Sequence, residues 1–198
     1  MSAGRPLRNA SSGMSLFEML VVIIMFGVIA GAIVLAASSS QTSYLSGETT
    51  VYVQQQARQA LGEMGQELRQ AGGTITTAVN QIEFQMNLGY NQAAPCPPSA
   101  VCWGARDQLA SSQAGWRVRY RLAANQLLRE LLDAAGNPQP GTRVLANDVT
   151  SLQFTYVGGT TQTVTTQLQV QRLSPFLPGG GLAASPTPLV SRVKLRNS

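Results

Sequence analysis

The sequence predicts an α+β protein, in which one long N-terminal helix packs against a C-terminal antiparallel β-sheet. Two observations predict this arrangement. Between Pro6 and Pro95 no proline interrupts the chain, and from residue 38 to 71 the apolar side chains recur at three- and four-residue steps. From Thr74 onward apolar side chains alternate with polar ones, which is typical of half-buried strands.

The first element is an apolar run in which Glu18 is the only ionisable side chain between Met14 and Ala37. A membrane span needs about 20 apolar residues, whereas the apolar region of a cleavable secretory signal has only about 7–15. The small-residue junction Ser12-Gly13 precedes the run, so cleavage there leaves the apolar helix on the mature protein. Residues 14–37 are therefore predicted to span a membrane.

Glu18 lies close to the start of this run. A carboxylate deep in a span costs about 2.5–3.5 kcal/mol, and less near its end. Two interpretations stay open: the carboxylate is solvated at the headgroup level, or it has a cationic partner. Cleavage after Gly13 would create an α-amino group on Met14, one helical turn from Glu18, which could pair within the chain or with a neighbouring subunit.

The segment from Gly13 to Glu18 and the apolar helix after it resemble the type IV prepilin motif. That motif has a glycine, a hydrophobic residue, three mostly apolar residues, a glutamate and an apolar helix. The resemblance implies cleavage after Gly13 by a membrane prepilin peptidase, N-methylation of Met14, and a role of Glu18 in subunit registration. Met14 stands where the family usually has phenylalanine.

Residues 38–73 are predicted to form the amphipathic part of the same helix, which would run from about Ser15 to Ala71 and measure roughly 85 Å at 1.5 Å per residue. The pair Gly72-Gly73 predicts its end. Residues 57–72 resemble the corresponding helix of PilW-like minor pilins and of J-type minor pseudopilins of type II secretion, which implies the type IV pilin fold. A plain amphipathic helix with solvated Glu63, Glu67 and Arg69 also fits these residues.

Residues 74–198 are predicted to form a globular β-rich domain. A hairpin turn is predicted at residues 123–126, and Gly136-Asn137-Pro138 is predicted to break the chain. The segment 127–132 is compatible with either a helix or a strand. Predicted strands cover residues 82–88, 116–122, 152–157, 164–170 and 189–195, and predicted loops cover residues 91–105 and 174–188.

Cys96 and Cys102 are the only cysteines and lie six residues apart. In an oxidising compartment they could form a disulfide, and two free thiols are the alternative. No metal site is expected, because two cysteines without any histidine cannot complete a typical zinc shell.

Arg117, Arg119 and Arg121 alternate along one predicted strand and therefore share a face of the sheet. Three guanidinium groups in a row could bind phosphate or an anionic sugar. The alternative is a solvated face, or ion pairs with carboxylates on neighbouring strands. Nucleic-acid binding is therefore only weakly indicated.

No catalytic constellation is apparent, and neither an enzyme nor a cofactor is expected. The chain has no histidine, which excludes the common Ser-His-Asp and Cys-His arrangements. Lys194 is the only lysine, and no motif around it supports serine–lysine chemistry.

Residues 1–13 form a short leader whose basic residues, Arg5 and Arg8, predict a cytoplasmic flank, so the C-terminal domain is expected outside the cytoplasm. The resemblance implies a minor pilin in the bacterial inner membrane and then in a type IV pilus. It also implies a role in assembly, priming or a tip complex, and thereby in motility, adhesion or DNA uptake. The implied partners are other pilins, the prepilin peptidase and the inner-membrane assembly platform.

Two alternatives stay open. One is a minor pseudopilin of type II secretion. The other is a membrane-tethered periplasmic binding domain that never polymerises, which predicts no processing after Gly13.

Overall fold

A computed structural model describes residues 15–90, 96–159, 162–173, 182–184 and 188–196. The predicted leader, which ends at the predicted cleavage residue Gly13, and the predicted methylation residue Met14 lie outside the described residues. The chain divides into two units, Met1–Tyr44 and Leu45–Ser198. One helix, α1 (Leu16–Arg69), is followed by antiparallel strands, so the predicted α+β class is confirmed.

Within the first unit, α1 is apolar on all its faces. The window Leu16–Gln41 has a mean hydropathy of 3.0, and none of it is buried. This part of the helix is long and apolar enough to span a membrane, as the sequence predicts, and it is consistent with single-pass anchoring.

Within the second unit, α1 buries one apolar stripe against the strands. Because helical residues three and four apart lie on one face, this spacing places the stripe toward the sheet. The stripe consists of Val53, Ala57, Ala60, Leu61, Met64 and Leu68, each no more than 9% exposed.

The second unit contains eleven strands in its described part. They are β1 (Ala71–Ala78), β2 (Gln81–Tyr90), β3 (Val101–Arg106), β4 (Ser112–Ala114), β5 (Arg117–Ala123), β6 (Gln126–Leu132), β7 (Pro138–Ala146), β8 (Val149–Val157), β9 (Thr163–Leu173), β10 (Leu182–Ala184) and β11 (Leu189–Lys194).

The strands form two antiparallel sheets that share one core with the helix. The first has the order β4-β3-β2-β5-β6-β7, with β1 also paired to β2. In the second, β9 pairs with β8, β10 and β11. The stripe of α1 meets inward side chains of both sheets, among them Phe84, Tyr120 and Leu168.

The helix ends at Arg69, two residues before the predicted Ala71, and the Gly72-Gly73 pair lies inside β1 rather than capping the helix. The register between β1 and β2 shifts between Gly72 and Ile75, and Gly73 has a φ of +63°. Glycine is favoured at such a bulge because it adopts positive φ without a steric cost.

The structure corrects two predicted loops, assigns the ambiguous segment 127–132 and confirms one predicted turn. The predicted loop 91–105 contains most of β3, and the predicted loop 174–188 contains β10. Residues 126–132 are the strand β6. The predicted turn before it is confirmed, since Ala124 and Asn125 have φ values of 47° and 59°, as a two-residue hairpin requires.

The segment after Gly136 continues as β7 despite Pro138 and Pro140. At the end of the sheet order, a strand needs hydrogen bonds along only one edge, so proline is tolerated there. The chain break predicted at Gly136-Asn137-Pro138 is therefore a turn, in which Asn137 donates its backbone N–H to the Asp133 carboxylate at 2.8 Å.

Candidate functional sites

The start of α1 is capped by Ser15. Its Oγ accepts a hydrogen bond from the backbone N–H of Glu18 at 3.2 Å, and its carbonyl accepts from the same N–H at 3.0 Å. Serine followed three residues later by glutamate is the capping-box pattern. Glu18 also complements the positive end of the helix dipole. Glu18 therefore has a local role that the sequence reasoning missed.

The predicted pairing of Glu18 with the Met14 amine stays a prediction, since Met14 lies outside the described residues. Within the described residues, the carboxylate of Glu18 makes no ion pair. The side chain is exposed.

Gly27 and Gly31 lie one turn apart in the apolar part of α1, and a Cβ at either would meet nothing within 4 Å. No contact with a described residue thus requires glycine at these positions. Small residues four apart let a second helix approach closely.

The arginine row on β5 lies between two carboxylates. Glu83 on β2 is directly opposite Arg119, and Glu130 on β6 is opposite Arg119 on the other side. Arg119 contacts Glu130 at 2.6 Å and Glu83 at 3.7 Å. Arg117 reaches Glu83 at 3.3 Å, and Arg121 makes hydrogen bonds of 2.9 and 2.8 Å to the two oxygens of Glu130.

Among the interpretations of this arginine row, the structure shows ion pairs with carboxylates on neighbouring strands. Burial of Glu130 raises the pKa of its carboxyl group, but the hydrogen bonds from Arg121 and Arg119 outweigh burial and leave that pKa below its ordinary value. Glu130 thus remains charged at neutral pH. Any external anion must compete with it and with Glu83, so anion binding by Arg117, Arg119 and Arg121 stays an untested prediction.

A second ionic network joins α1 to the sheet. The Nε of Arg129 lies 3.0 and 3.1 Å from the two carboxylate oxygens of Glu67, and the Tyr120 hydroxyl donates to Glu67 Oε2 at 2.5 Å. Burial, and next the charge of Glu67, raises the pKa of Tyr120 well above its ordinary value. Burial lowers the pKa of Arg129, but its hydrogen bond to Glu67 and that carboxylate's charge outweigh burial and raise it.

Of the three charged residues in the alternative of a plain amphipathic helix, Glu63 and Arg69 are exposed, whereas Glu67 is half-buried and paired. The sequence of β6 indicates that Arg129 is buried, because this residue alternates with Leu127 and Leu131 and so faces the core with them. A cation at an inward position requires a buried carboxylate partner. Which carboxylate it is depends on the packing of the helix on the sheet, which the sequence pattern does not specify.

The disulfide between Cys96 and Cys102 is confirmed, with a Cα–Cα distance of 5.3 Å. Cys102 is fully buried on β3. The Tyr90 hydroxyl donates to the carbonyl of Ser99 at 2.9 Å, which fixes the same loop to the end of β2.

A surface cleft of about 590 Å³ lies beside the Glu67–Arg129 pair, but its charges are largely compensated. Arg143 pairs with Glu63 at 3.0 Å, and Asp107 accepts the backbone N–H groups of Leu109 and Ser111. The cleft is lined by Glu67, Gln70, Met86, Arg106, Asp107, Gln108, Ala110, Arg129, Gly141 and Arg143.

Among the described residues, no three His, Cys, Asp or Glu side chains are grouped so that they could hold a metal ion. In comparisons with protein-family models, with curated proteins and with solved structures, nothing matches this chain.

Proposed function

We propose that this chain is a minor pilin or pseudopilin, a non-enzymatic structural subunit of a type IV pilus that resides in the bacterial inner membrane before it assembles. The observation that carries the proposal is the wholly exposed apolar part of α1, which follows the Gly13–Glu18 motif directly. The proposed fold is the type IV pilin fold.

The exposed apolar surface must be covered by something outside the chain. Fifteen large apolar side chains between Leu16 and Leu35 are exposed. Each is worth about 1.5–3 kcal/mol when fully buried, so together they represent tens of kcal/mol. That exceeds the net stability of a typical domain, about 5–15 kcal/mol. Lipid covers this surface before assembly, and similar helices in a filament core cover it afterwards.

Glu18 supplies the register in this mechanism. Leaving lipid for a filament core gives an unpaired carboxylate no water, which is costly. The methylated amine of Met14 on a neighbouring subunit offsets that cost at one axial position only, whereas an amine on the same subunit moves with the helix and sets no register. The helix therefore stops at that position when it enters the filament.

The mature N-terminus tests the proposal. Intact-mass and N-terminal peptide analysis of the chain purified from a bacterium that assembles it should give a protein that begins at N-methylated Met14. Gly13→Ala should keep residues 1–13 while leaving membrane insertion unchanged.

A working protein that retains residues 1–13 would exclude the peptidase step and favour the membrane-tethered binding domain. A mature protein that begins beyond residue 41 would exclude the filament subunit altogether. If the processed chain is required for protein export and not for surface pili, it belongs to the pseudopilins of type II secretion.

A further inference from the structure

A groove of about 380 Å³ lies between α1 and β11 in the second unit. Its helical wall has residues at steps of three, four and seven, which share one face of the helix. Its other wall is five consecutive residues of β11. We call it the α1–β11 groove; it is lined by Arg58, Leu61, Gly62, Gly65, Arg69, Leu189, Val190, Ser191, Arg192 and Val193.

The two walls are fixed to each other at one end. A Cβ on Gly65 would lie 3.6 Å from Val193 Cγ2, and the backbone N–H of Arg196 donates to the carbonyl of Arg69 at 3.2 Å. Helix and strand therefore run in the same direction along the groove and are joined near Arg69.

The charges of the groove are all of one sign. Arg58, Arg69 and Arg192 line it, all three are exposed, and no lining residue is acidic. In the described part of the chain, none of the three makes an ion pair. This differs from the arginine row on β5 and from the 590 Å³ cleft, whose charges are largely compensated by carboxylates of the chain.

Gly62 keeps the middle of the groove open. A Cβ at this position would meet no described atom within 4 Å, so packing within the described part of the chain does not require glycine there. Glycine in a helix interior is nevertheless less favourable than alanine. An occupant that approaches the helix backbone accounts for a residue that the fold itself does not need.

The strand wall offers backbone hydrogen-bonding groups. Both outward residues such as Val190 and inward ones such as Val193 line the groove, so the edge of β11 rather than one face borders it. Among the described strands, β11 pairs with β9 alone. Its other edge can therefore accept an added strand.

We propose that the α1–β11 groove binds an extended acidic segment of a partner protein, which adds to the edge of β11. Its backbone pairs with the strand, its apolar side chains contact Leu61 and Leu189, and its carboxylates pair with the three arginines. A single nucleic-acid strand fits less well, because the described residues of the lining include no aromatic side chain on which a base could stack. The proposal goes beyond a role in the filament and does not depend on processing after Gly13.

The test is an unbiased selection of ligands. A random dodecapeptide library displayed on phage is panned on the full-length chain in uncharged detergent micelles, with the Arg58→Ala/Arg69→Ala/Arg192→Ala variant as a parallel target. Peptides selected on the native chain should be enriched in Asp and Glu. Since one exposed ion pair contributes up to about 1 kcal/mol, or about five-fold in affinity, the triple variant should bind them more weakly by up to about 100-fold.

Two further variants separate binding from folding. Gly62→Leu fills the groove and should weaken binding at least ten-fold, while the urea midpoint of unfolding stays the same or rises. Arg143→Ala removes an exposed arginine outside the groove and should leave peptide affinity unchanged. Affinity for the selected peptides should also fall as NaCl is added.

Selection of peptides without acidic enrichment would overturn the proposal, as would selected peptides that bind the triple variant or Gly62→Leu as tightly as the native chain. A twelve-nucleotide single-stranded DNA that binds more tightly than the best peptide, and loses affinity with the same three substitutions, would assign the groove to nucleic acid instead.

Discussion

The two parts of helix α1 bury their apolar residues in different ways. In the first unit the apolar residues surround the helix, and the chain covers none of the window Leu16–Gln41. In the second unit they form one stripe, and the sheets cover it. An apolar stripe on one face can be buried by a sheet of the same chain, whereas a helix that is apolar on every face needs lipid or several neighbouring helices around it. The distribution of apolar residues around the helix thus distinguishes an internal contact from an external one.

The two parts of the helix also differ in whether a carboxylate has a cationic partner within the chain. Glu67 has its cation, Arg129, within the chain, and the Tyr120 hydroxyl donates to it as well. The Glu18 carboxylate makes no ion pair within the described residues, and the hydrogen bond to Ser15 comes only from the backbone N–H of this residue. The cationic partner that the proposed register requires would be the Met14 amine of another subunit.

The largest effect on stability is expected from Leu68→Ala in the second part of the helix. Leu35→Ala, the same truncation in the first part, is its matched control. Leu68 is 0% exposed and Leu35 is 72% exposed. Leu68→Ala should lower the free energy of unfolding of the second unit by about 2–5 kcal/mol, because it removes buried methyl groups and leaves a cavity. Leu35→Ala should change it by less than about 0.5 kcal/mol.

Urea unfolding of the full-length chain in uncharged detergent micelles, followed by the fluorescence of Trp116, measures both values. Trp116 packs against the core and reports its loss. Equal effects of the two truncations would show that the first part of the helix is also held by the folded chain, and the contrast between the two parts would be lost.

The second prediction concerns the paired carboxylate. Arg129→Met leaves Glu67 without its cation and should cost about 2–3 kcal/mol, somewhat below the usual range for a buried pair because the Glu67 side chain is 26% exposed. Adding Glu67→Gln should recover most of that loss, since no unpaired charge is left and the amide oxygen can still accept the Tyr120 hydroxyl. The urea midpoints of the native chain and both variants measure this. A double variant as unstable as Arg129→Met alone would mean that the shape of the pair matters more than its charge.

The sequence predicted the elements whose pattern is local. Alternation predicted β2 and β5, the three- and four-residue spacing predicted the amphipathic helix, and the pair Ala124-Asn125 lies in the predicted turn. It did not predict β7 with its two prolines, because their tolerance depends on that strand's place at the end of the sheet. Gly72-Gly73 likewise has the same local pattern whether it caps a helix or forms a bulge.

The sequence predicted some features of the candidate sites as alternatives and did not predict others. The disulfide was one of two alternatives for two cysteines at a short spacing, and carboxylate partners of Arg117, Arg119 and Arg121 were one of several. The specific partners depend on strand register, which places Glu83 and Glu130 on either side of Arg119. The α1–β11 groove was missed because its walls are 120 or more residues apart in the chain and only the fold brings them together.

A smaller effect is expected from acidification. The pKa of Glu130 is lower in the folded chain than its ordinary value of 4.5. Its ion pairs therefore contribute stability that is complete above pH 4.5 and is lost as the pH falls through the folded pKa. Urea midpoints measured from pH 7 to pH 3 should decrease, and Glu130→Gln should make that decrease shallower. An identical decrease in the variant would assign the acid sensitivity to other carboxylates.

The smallest effect on unfolding is expected from Glu18→Ala, and it tests the comparison most directly. Because the Glu18 carboxylate has no ion pair in the described residues, its loss should leave the urea midpoint of the second unit unchanged. Processing after Gly13 should also continue, as measured by mass spectrometry. The fraction of the chain in sheared filaments should nevertheless fall sharply, since the helix loses its register.

The matched control is Glu48→Ala, which removes an exposed glutamate from the same helix and should assemble normally. If Glu18→Ala assembles as well as that control, the register comes from apolar packing alone and the carboxylate serves only to complement the helix dipole.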